Sequence, residues 1–375
     1  MRGSFRLFSV RGIPIRVHLS FLLILPLLAL IFARMVHQAS MLDGAPAASL
    51  NAWSWLWGAG MAVALFLSVV LHELAHALYG RRHGAVVQDI TLLMIGGVSQ
   101  MTELPRKSRD EAVMAFAGPL TSLALGAALW ALALPFRGSH FDLHFALLNL
   151  GRLNLILGAF NLIPAFPMDG GRILRATLSP KLGLGRATRI AAWLGRALAV
   201  GFAILGLLGG NLILVFIAAF VWMGAGAESQ QTQLKAALEG LRVRDVMTPF
   251  ARAAQASAPL DEVAAEMQRE GQLSVAVVDG ERVLGVVSLE DLTSVPAEER
   301  LQTHARELVK PVPALGPDEP AWRGLRMLSE RNLTLVPVVQ DGRLVGTLSA
   351  SDVKRAVRMR TPVERRRALR TEAHA

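Results

Sequence analysis

The sequence predicts an α-helical polytopic membrane bundle of about six spans with a small membrane-associated β-hairpin, followed by a cytoplasmic α/β domain pair. Three observations carry this prediction. Hydrophobic residues make up 53% of the 375 residues and the mean hydropathy is +0.41, values typical of multi-pass membrane proteins. The apolar residues concentrate between positions 19 and 227. After position 243 the composition becomes that of a soluble domain, and the chain repeats itself.

Six apolar segments are candidates for membrane-spanning helices, which need ~20 residues. They cover residues 19–33, 56–79, 112–136, 145–163, 190–208 and 212–223. The first segment follows four arginines but has no clear small-residue cleavage site, so we expect a retained span rather than a signal peptide. The last segment is short, yet counting it as a span places both ends of the chain on the same side of the membrane.

Basic residues predict the orientation of these spans. They follow spans two and four, at Arg81, Arg82, Arg106, Lys107 and Arg109 and at Arg172, Arg175, Lys181, Arg186 and Arg189. The loop over 37–55 has no lysine or arginine. The positive-inside rule then makes the N-terminus and the Arg-rich loops cytoplasmic. We expect a multi-pass protein of the cell membrane whose C-terminal domains are also cytoplasmic.

Composition divides the chain into five parts. A membrane-embedded domain (1–228) precedes a linker (229–242), two copies of a repeat (243–300 and 301–360) and a basic tail (361–375). The formal charge is +10, and the basic tail favours a solvated segment beside anionic headgroups over nucleic-acid binding. Cysteine is absent, so disulfides are excluded and a metal site must use histidine and carboxylate ligands.

The second span contains a charged motif that lipid does not favour. Glu73 is the sole formally charged residue between Leu56 and Tyr79, and it lies beside His72 and His76. Residues four apart share a helix face, so both imidazoles can bind one ion, and His-Glu-x-x-His on a helix is typical of zinc proteases. Glu73, rotated by about 100°, is placed to activate a zinc-bound water. A buried polar network between helices is the alternative.

A catalytic zinc needs a third protein ligand and one open position. The candidate is Asp169, because Pro164 and Pro167 should unwind the end of the fourth span just before it. Unwound backbone at membrane depth lines protein or a cavity. Asp142 and Asp43 are weaker candidates, since both lie on the predicted outer side.

Residues 86–101 are predicted to form the β-hairpin. The segment is rich in valine and isoleucine and contains Gly96 and Gly97 as a turn signal. A free edge of such a hairpin can bind an unwound substrate by strand addition. Alternatively, the hairpin only fills space in the bundle.

These motifs resemble the site-2 protease family of intramembrane zinc metalloproteases. The resemblance covers about residues 11–171 and rests on Gly12–His18, His72–His76, Gly96–Val98, Ala117–Leu120 and Asn161–Gly171. It implies a zinc metalloendopeptidase with one Zn²⁺ per chain. His72, His76 and Asp169 would be its ligands and Glu73 the catalytic base.

The same resemblance implies which residues meet the substrate. Asn161, Gly96 and Gly97 would contact it, and the substrate would be a transmembrane segment of another protein, cleaved within the lipid bilayer in regulated intramembrane proteolysis. The sequence does not identify that protein.

The soluble half is an internal repeat. Ser288 and Asp291 of the first copy recur as Ser349 and Asp352 of the second, and each copy has the order helix, strand, turn, strand, helix. The pattern resembles a tandem pair of cystathionine-β-synthase (CBS) domains, which implies adenine-nucleotide binding by these four residues. Alternatively, they only cap helices, and the pair is structural or forms a homodimer.

Two other functions compete with proteolysis. A CBS-regulated transporter or channel would use His72, Glu73 and Asp169 in an ion path, and a catalytically inactive scaffold would bind zinc without cleaving. Transport predicts further ionisable residues along several spans. Only Arg152 and Arg196 meet that description, which favours the enzyme.

Overall fold

The computed structural model describes residues 3–42, 50–94, 96–103, 105, 107–238 and 240–359. The chain divides into two compact units, Met1–Thr232 and Gln233–Ala375, and each is considered by itself. The basic tail predicted at 361–375 and the weaker metal-ligand candidate Asp43 lie outside the described residues.

Helices dominate the first unit. They are α1 (Phe21–Leu42), α2 (Ala52–Arg82), α3 (Ser108–Ala133), α4 (Phe141–Asn161), α5 (Asp169–Leu182), α6 (Leu184–Leu208) and α7 (Leu212–Leu238), whose last residues enter the second unit. In the described part of the chain, all of these except the 14-residue α5 are long and apolar enough to cross a membrane. The six predicted spans are therefore confirmed.

The surface of these six helices is apolar. Leu23 on α1, Leu208 on α6 and Phe216 on α7 are 72%, 83% and 75% exposed, a pattern expected where lipid rather than water surrounds the helices. Between helices the packing is also apolar, and Phe32, Met61 and Leu150 join α1, α2 and α4 in one cluster. The bundle is therefore largely apolar both on its surface and between these helices.

A four-stranded sheet lies within the first unit. Its strands are β1 (Ser4–Val10), β2 (Ile13–His18), β3 (Val86–Leu93) and β4 (Gly96–Glu103), in the order β1-β2-β3-β4. The predicted hairpin is confirmed as the antiparallel pair β3–β4. The two glycines do not form its turn, because Gly96 begins β4 and Gly97 pairs with Leu92. Within the described sheet, β4 is an edge strand.

The sequence analysis did not predict β1 and β2. In β2, Ile13, Ile15 and Val17 are buried while the residues between them are partly exposed. This alternation is the ordinary signal of a half-buried strand. β2 pairs in parallel with β3, so the stretch Gly12–His18 supports the hairpin from the side opposite β4.

The second unit contains both repeats. Its helices are α8 (Val243–Val246), α9 (Leu260–Glu270), α10 (Leu289–Thr293), α11 (Ala305–Leu308) and α12 (Ala321–Glu330), with a further helix over 350–359. Its strands are β5 (Thr248–Pro249), β6 (Ala253–Gln255), β7 (Ser274–Asp279), β8 (Arg282–Ser288), β9 (Leu335–Gln340) and β10 (Arg343–Ser349). They form one six-stranded sheet.

Each copy has the predicted order of helix, strand, turn, strand and helix. In the second copy the turn is Asp341-Gly342, and both residues have positive φ (51° and 82°), as a two-residue hairpin turn requires. Two apolar clusters, one including Val277 and the other Val338, each draw residues from both copies, and a third cluster joins Ala276 of the first copy to Leu335 of the second. Helix α7 continues to Leu238, so most of the segment predicted as a linker (229–242) is helical.

Candidate metal centre and catalytic cavity

Three side chains from two helices converge on one point in the bundle. His72 Nε2 and His76 Nε2 each lie 3.2 Å from Asp169 Oδ2, and the two nitrogens are 3.2 Å apart. All three residues are buried. Tetrahedral zinc with bonds of ~2.0–2.1 Å separates its ligand atoms by about 3.3 Å. The three atoms thus have the spacing and the chemistry that one Zn²⁺ requires.

Hydrogen bonds orient both imidazoles. His76 Nδ1 lies 2.7 Å from the carbonyl oxygen of Met114 on α3. A carbonyl only accepts, so Nδ1 carries the hydrogen and Nε2 keeps its lone pair. His72 Nδ1 lies 2.9 Å from Ser122 Oγ, which can accept in the same way. Such outer partners fix the tautomer that a metal ligand needs.

Asp169 reaches this point because the chain unwinds after α4. Residues 162–168 form no regular helix, which confirms the break predicted at Pro164 and Pro167. The side chain of Phe166 is fully buried, and its backbone N–H donates to Ala191 O on α6 at 3.1 Å. This anchored segment ends where α5 begins, and Asp169 is the first residue of that helix.

Space for an ion between the imidazoles depends on a glycine in α3. A Cβ on Gly118 would lie 2.1 Å from His76 Nε2 and 2.7 Å from His72 Nε2. Any other residue at this position would therefore occupy the place of the ion or of its ligands. Pro119 follows and cannot donate a backbone hydrogen bond within the helix.

Glu73 lies beside the three candidate ligands. Ser99 on β4 donates a 2.6 Å hydrogen bond from Oγ to Glu73 Oε2. Gly97 packs so closely that a Cβ there would lie 2.6 Å from Glu73 Cγ. The edge strand therefore passes directly over the carboxylate.

A cavity of about 300 Å³ opens at this place. All seven residues that the sequence assigned to the membrane site line it: His72, Glu73, His76, Gly96, Gly97, Asn161 and Asp169. Asn161 is the last residue of α4, and its Nδ2 donates to Leu157 O at 3.0 Å. Asp142 is engaged elsewhere, because Trp53 Nε1 donates to its Oδ2 at 2.6 Å. The cavity also contains groups that the sequence did not reveal, including Ser99 and Arg172.

The four CBS candidates lie in the second unit, in two equivalent arrangements. Ser288 Oγ donates to Asp291 Oδ2 at 2.6 Å, and Ser349 Oγ donates to Asp352 Oδ2 at the same distance. In each pair the serine backbone N–H also donates to the aspartate. In the other direction, the aspartate backbone N–H donates to the serine Oγ at 3.3 Å in both pairs. These reciprocal bonds are those of a helix cap, the plainer of the two predicted roles.

Each of these aspartates also contacts the other copy. Thr248 Oγ1 donates to Asp352 Oδ1 at 2.8 Å, and Lys310 Nζ donates to Asp291 Oδ1. Partial burial raises the pKa of Asp291, but the hydrogen bonds from Lys310 and Ser288 outweigh it, so the pKa of this carboxyl lies below its usual value. The same contact raises the pKa of Lys310. The two copies therefore share both polar clusters.

Comparisons with known proteins show which families the chain is similar to. The model of peptidase family M50 matches residues 60–148 and 140–202, and that of the CBS domain matches 243–298 and 305–359. The solved site-2 protease from Methanocaldococcus jannaschii is 40% identical and covers 60% of this chain and 95% of its own, with a TM-score of 0.43.

Full-length relatives are similar along almost the whole chain. Zinc metalloprotease MJ0392 of Methanocaldococcus jannaschii is 34% identical over 95% of this chain and 97% of its own length. The Rip3 protein of Mycobacterium tuberculosis is 34% identical over 95% of this chain and 93% of its own. The chain therefore belongs to peptidase family M50, the zinc metalloproteases of the site-2 type, and carries a C-terminal pair of CBS domains.

Proposed function

We propose that this enzyme cleaves a transmembrane segment of another membrane protein, as a step of regulated intramembrane proteolysis. One observation carries the proposal. His72, His76 and Asp169 converge beside Glu73 in a single cavity, within a bundle of helices apolar enough to span a membrane.

In this proposal His72, His76 and Asp169 hold one zinc ion. When bound, zinc supplies Lewis acidity, which lowers the pKa of a water molecule to about 7 and polarises the peptide carbonyl. Glu73 accepts the proton of the attacking water and passes it to the leaving nitrogen. Ser99 holds Glu73 Oε2 and so leaves the other carboxylate oxygen for the proton.

The edge strand β4 is proposed to hold the substrate. A helical peptide shields its scissile bond by its own hydrogen bonds, so the substrate must be extended before it is cut. β4 has a neighbour on one side within the described sheet, and strand addition on its other side would present an extended peptide. Gly96 and Gly97 begin this strand next to Glu73, and the amide of Asn161 faces the same cavity.

Comparing membrane proteomes tests the proposed function. Cells that express the wild type are compared with cells that express Glu73→Gln. We expect at least one membrane protein to stay intact only in the cells that express the variant. Its fragment in wild-type cells should end within an apolar span. Identical proteomes, or fragments that all end in soluble loops, would contradict intramembrane cleavage.

We also propose that the N-terminus and the CBS pair lie in the cytoplasm of a cell-membrane protein. The support is the basic residues at the end of α2 (Arg81, Arg82) and around the junction of α5 and α6 (Lys181, Arg186, Arg189). Because the chain has no cysteine, a single introduced cysteine reports directly on which side of the membrane it lies. On intact cells, an impermeant maleimide should label Ser139→Cys, before α4, and should not label Lys181→Cys at the end of α5. The reverse pattern would overturn the orientation.

We propose that the CBS pair binds an adenine nucleotide and thereby regulates the protease. Ser288, Asp291, Ser349 and Asp352 would contact ribose and phosphate. The support is that each aspartate contacts the other copy, and that Lys310 brings a cation to one cluster. A structural or homodimerising role for the pair is the alternative.

Calorimetry with ATP and AMP on the purified full chain separates these roles. We expect the wild type to bind one of the two nucleotides, and the double variant Asp291→Ala/Asp352→Ala to lose binding. The control is Glu290→Ala, which removes an exposed acid next to Asp291. If the wild type binds neither nucleotide, or if the double variant binds as well as the control, these residues have no nucleotide-binding role.

A further inference from the structure

The guanidinium groups of two arginines on α5, Arg172 and Arg175, have different contacts. Arg175 is 3% exposed. Its guanidinium donates to Glu111 on α3 and, at 3.2 Å and 3.1 Å, to Glu228 Oε1 and Thr232 Oγ1 on α7. It also lies 5.3 Å from the ring centre of Phe166. Arg175 thus joins three helices, and each of its two terminal nitrogens already has a protein partner.

Arg172 remains available for a ligand. It follows Asp169 by three residues, so the two share a face of α5, and it lines the cavity with the candidate zinc ligands. Among the described residues its recorded partner is Glu228, whose Oε2 lies 3.8 Å from Arg172 Nη2. This distance is too long for a hydrogen bond. A guanidinium has five N–H donors, and those of Arg172 can therefore serve a group inside the cavity.

We propose that Arg172 is a further catalytic residue, which donates a hydrogen bond to the carbonyl oxygen of the scissile peptide. This inference rests on the proposed protease function. The water oxygen bonds to the carbonyl carbon, the π electron pair moves to the carbonyl oxygen, and Glu73 takes the proton of the water. The C=O bond then re-forms while the C–N bond breaks, and the nitrogen leaves with the proton from Glu73.

Arg172 neither gains nor loses a proton in this sequence. Its effect is electrostatic, because the carbonyl oxygen is nearly neutral in the substrate and negative in the tetrahedral intermediate. A fixed cation therefore stabilises the intermediate more than the substrate, which is the condition for faster catalysis. The cavity is partly closed to water, and the interaction is stronger there than in bulk solvent.

Glu228 is the positioning residue for Arg172. Its Oε1 accepts from the buried Arg175, and its Oε2 lies on the side of Arg172. Since Arg175 is itself tied to α3, the carboxylate has a fixed place beside Arg172. It restrains the guanidinium of Arg172 without using up its donors.

Two zinc-binding probes test this assignment on the zinc-loaded full chain in detergent. An N-phosphoryl-Leu-Leu dipeptide carries tetrahedral anionic oxygens, as the intermediate does, whereas the hydroxamate of the same dipeptide is a planar chelator. We expect Arg172→Gln to weaken binding of the phosphoryl probe by about 10²–10³-fold, the size of effect typical of one oxyanion donor. Binding of the hydroxamate and the zinc content should stay close to those of the wild type.

Two further variants and a control refine the test. Arg172→Lys should show an intermediate loss, since lysine keeps the charge but not the planar fork of donors. Glu228→Gln should weaken binding of the phosphoryl probe less than Arg172→Gln does. Lys181→Gln, at an exposed position of the same helix, should change the binding of neither probe.

The outcomes separate this inference from the proposed function. Arg172 does not stabilise the oxyanion if Arg172→Gln weakens binding of both probes equally, leaves binding of both unchanged or loses zinc. In these cases the inference fails while the proposed function stands. If the zinc-loaded wild type binds neither probe, the cavity is not a peptidase site, and the proposed function fails together with the inference.

Discussion

Gly118→Ala is expected to abolish zinc binding, although it adds one methyl group. The new Cβ would lie 2.1 Å from His76 Nε2 and 2.7 Å from His72 Nε2, inside the space that the ion and its ligands need. The Nδ1 atoms of the two imidazoles are hydrogen-bonded to Ser122 and to the Met114 carbonyl. The rings therefore cannot move away from the new Cβ without losing these buried hydrogen bonds. We expect the zinc content, measured by metal analysis of the purified chain, to fall from about one per chain to a small fraction.

A matched glycine provides the control for this substitution. Gly60 lies on α2, the helix of the two histidines, and a Cβ there would have no atom within 4 Å. Gly60→Ala should therefore keep zinc and fold normally, because alanine is the better helix former. Full zinc content in Gly118→Ala would show that the ion does not lie between these imidazoles.

Glu73→Gln is expected to keep zinc and to lose cleavage. The side chain is not among the three converging ligands, and glutamine has the same shape, so the amide oxygen can still accept from Ser99. It cannot take a proton from water. We expect the cleavage rate to fall by about 10²–10⁴-fold, the usual contribution of a general base. The assay uses the membrane protein that persists in Glu73→Gln cells.

The histidines provide the contrasting variant. His72→Ala should lose zinc and cleavage together, whereas Glu73→Gln should lose cleavage alone. Cleavage at the wild-type rate by Glu73→Gln would remove Glu73 from the mechanism. Loss of zinc in Glu73→Gln would make it a ligand and not a base.

The sequence was sufficient to predict which side chains converge at the candidate metal centre, because its signals are local. His72 and His76 are one helical turn apart, and Glu73 is conspicuous as a charge in an apolar span. Asp169 was found through the two prolines that precede it. Each of these inferences needs only backbone periodicity and the cost of a charge in lipid.

The surrounding residues could not be found in this way, because their roles depend on contacts between distant helices. Ser122 is an ordinary serine in an apolar segment until α3 places it 2.9 Å from His72. Arg172 reads as one of several cytoplasmic arginines until α5 brings it into the cavity. In the second unit, the contacts of Thr248 and Lys310 with the opposite copy are likewise long-range.

The extent of the sixth span shows the same limit. The sequence predicts a short span that ends at position 223. In the structure the helix continues, since Arg175 pairs with Glu228 and bonds Thr232. Gly224 allows a close approach as well, because a Cβ there would lie 2.7 Å from Pro167. Tertiary contacts thus override the local signals for a helix end.

Zinc K-edge X-ray absorption on the purified full chain tests most directly whether His72, His76 and Asp169 bind one zinc ion. The predicted spectrum contains two imidazole nitrogens and additional oxygen donors at ~2.0–2.1 Å. Its oxygen shell, or the zinc content itself, should fall in Asp169→Ala. A chain that binds no zinc, a third imidazole, or a spectrum and zinc content unchanged by Asp169→Ala would contradict the proposed centre.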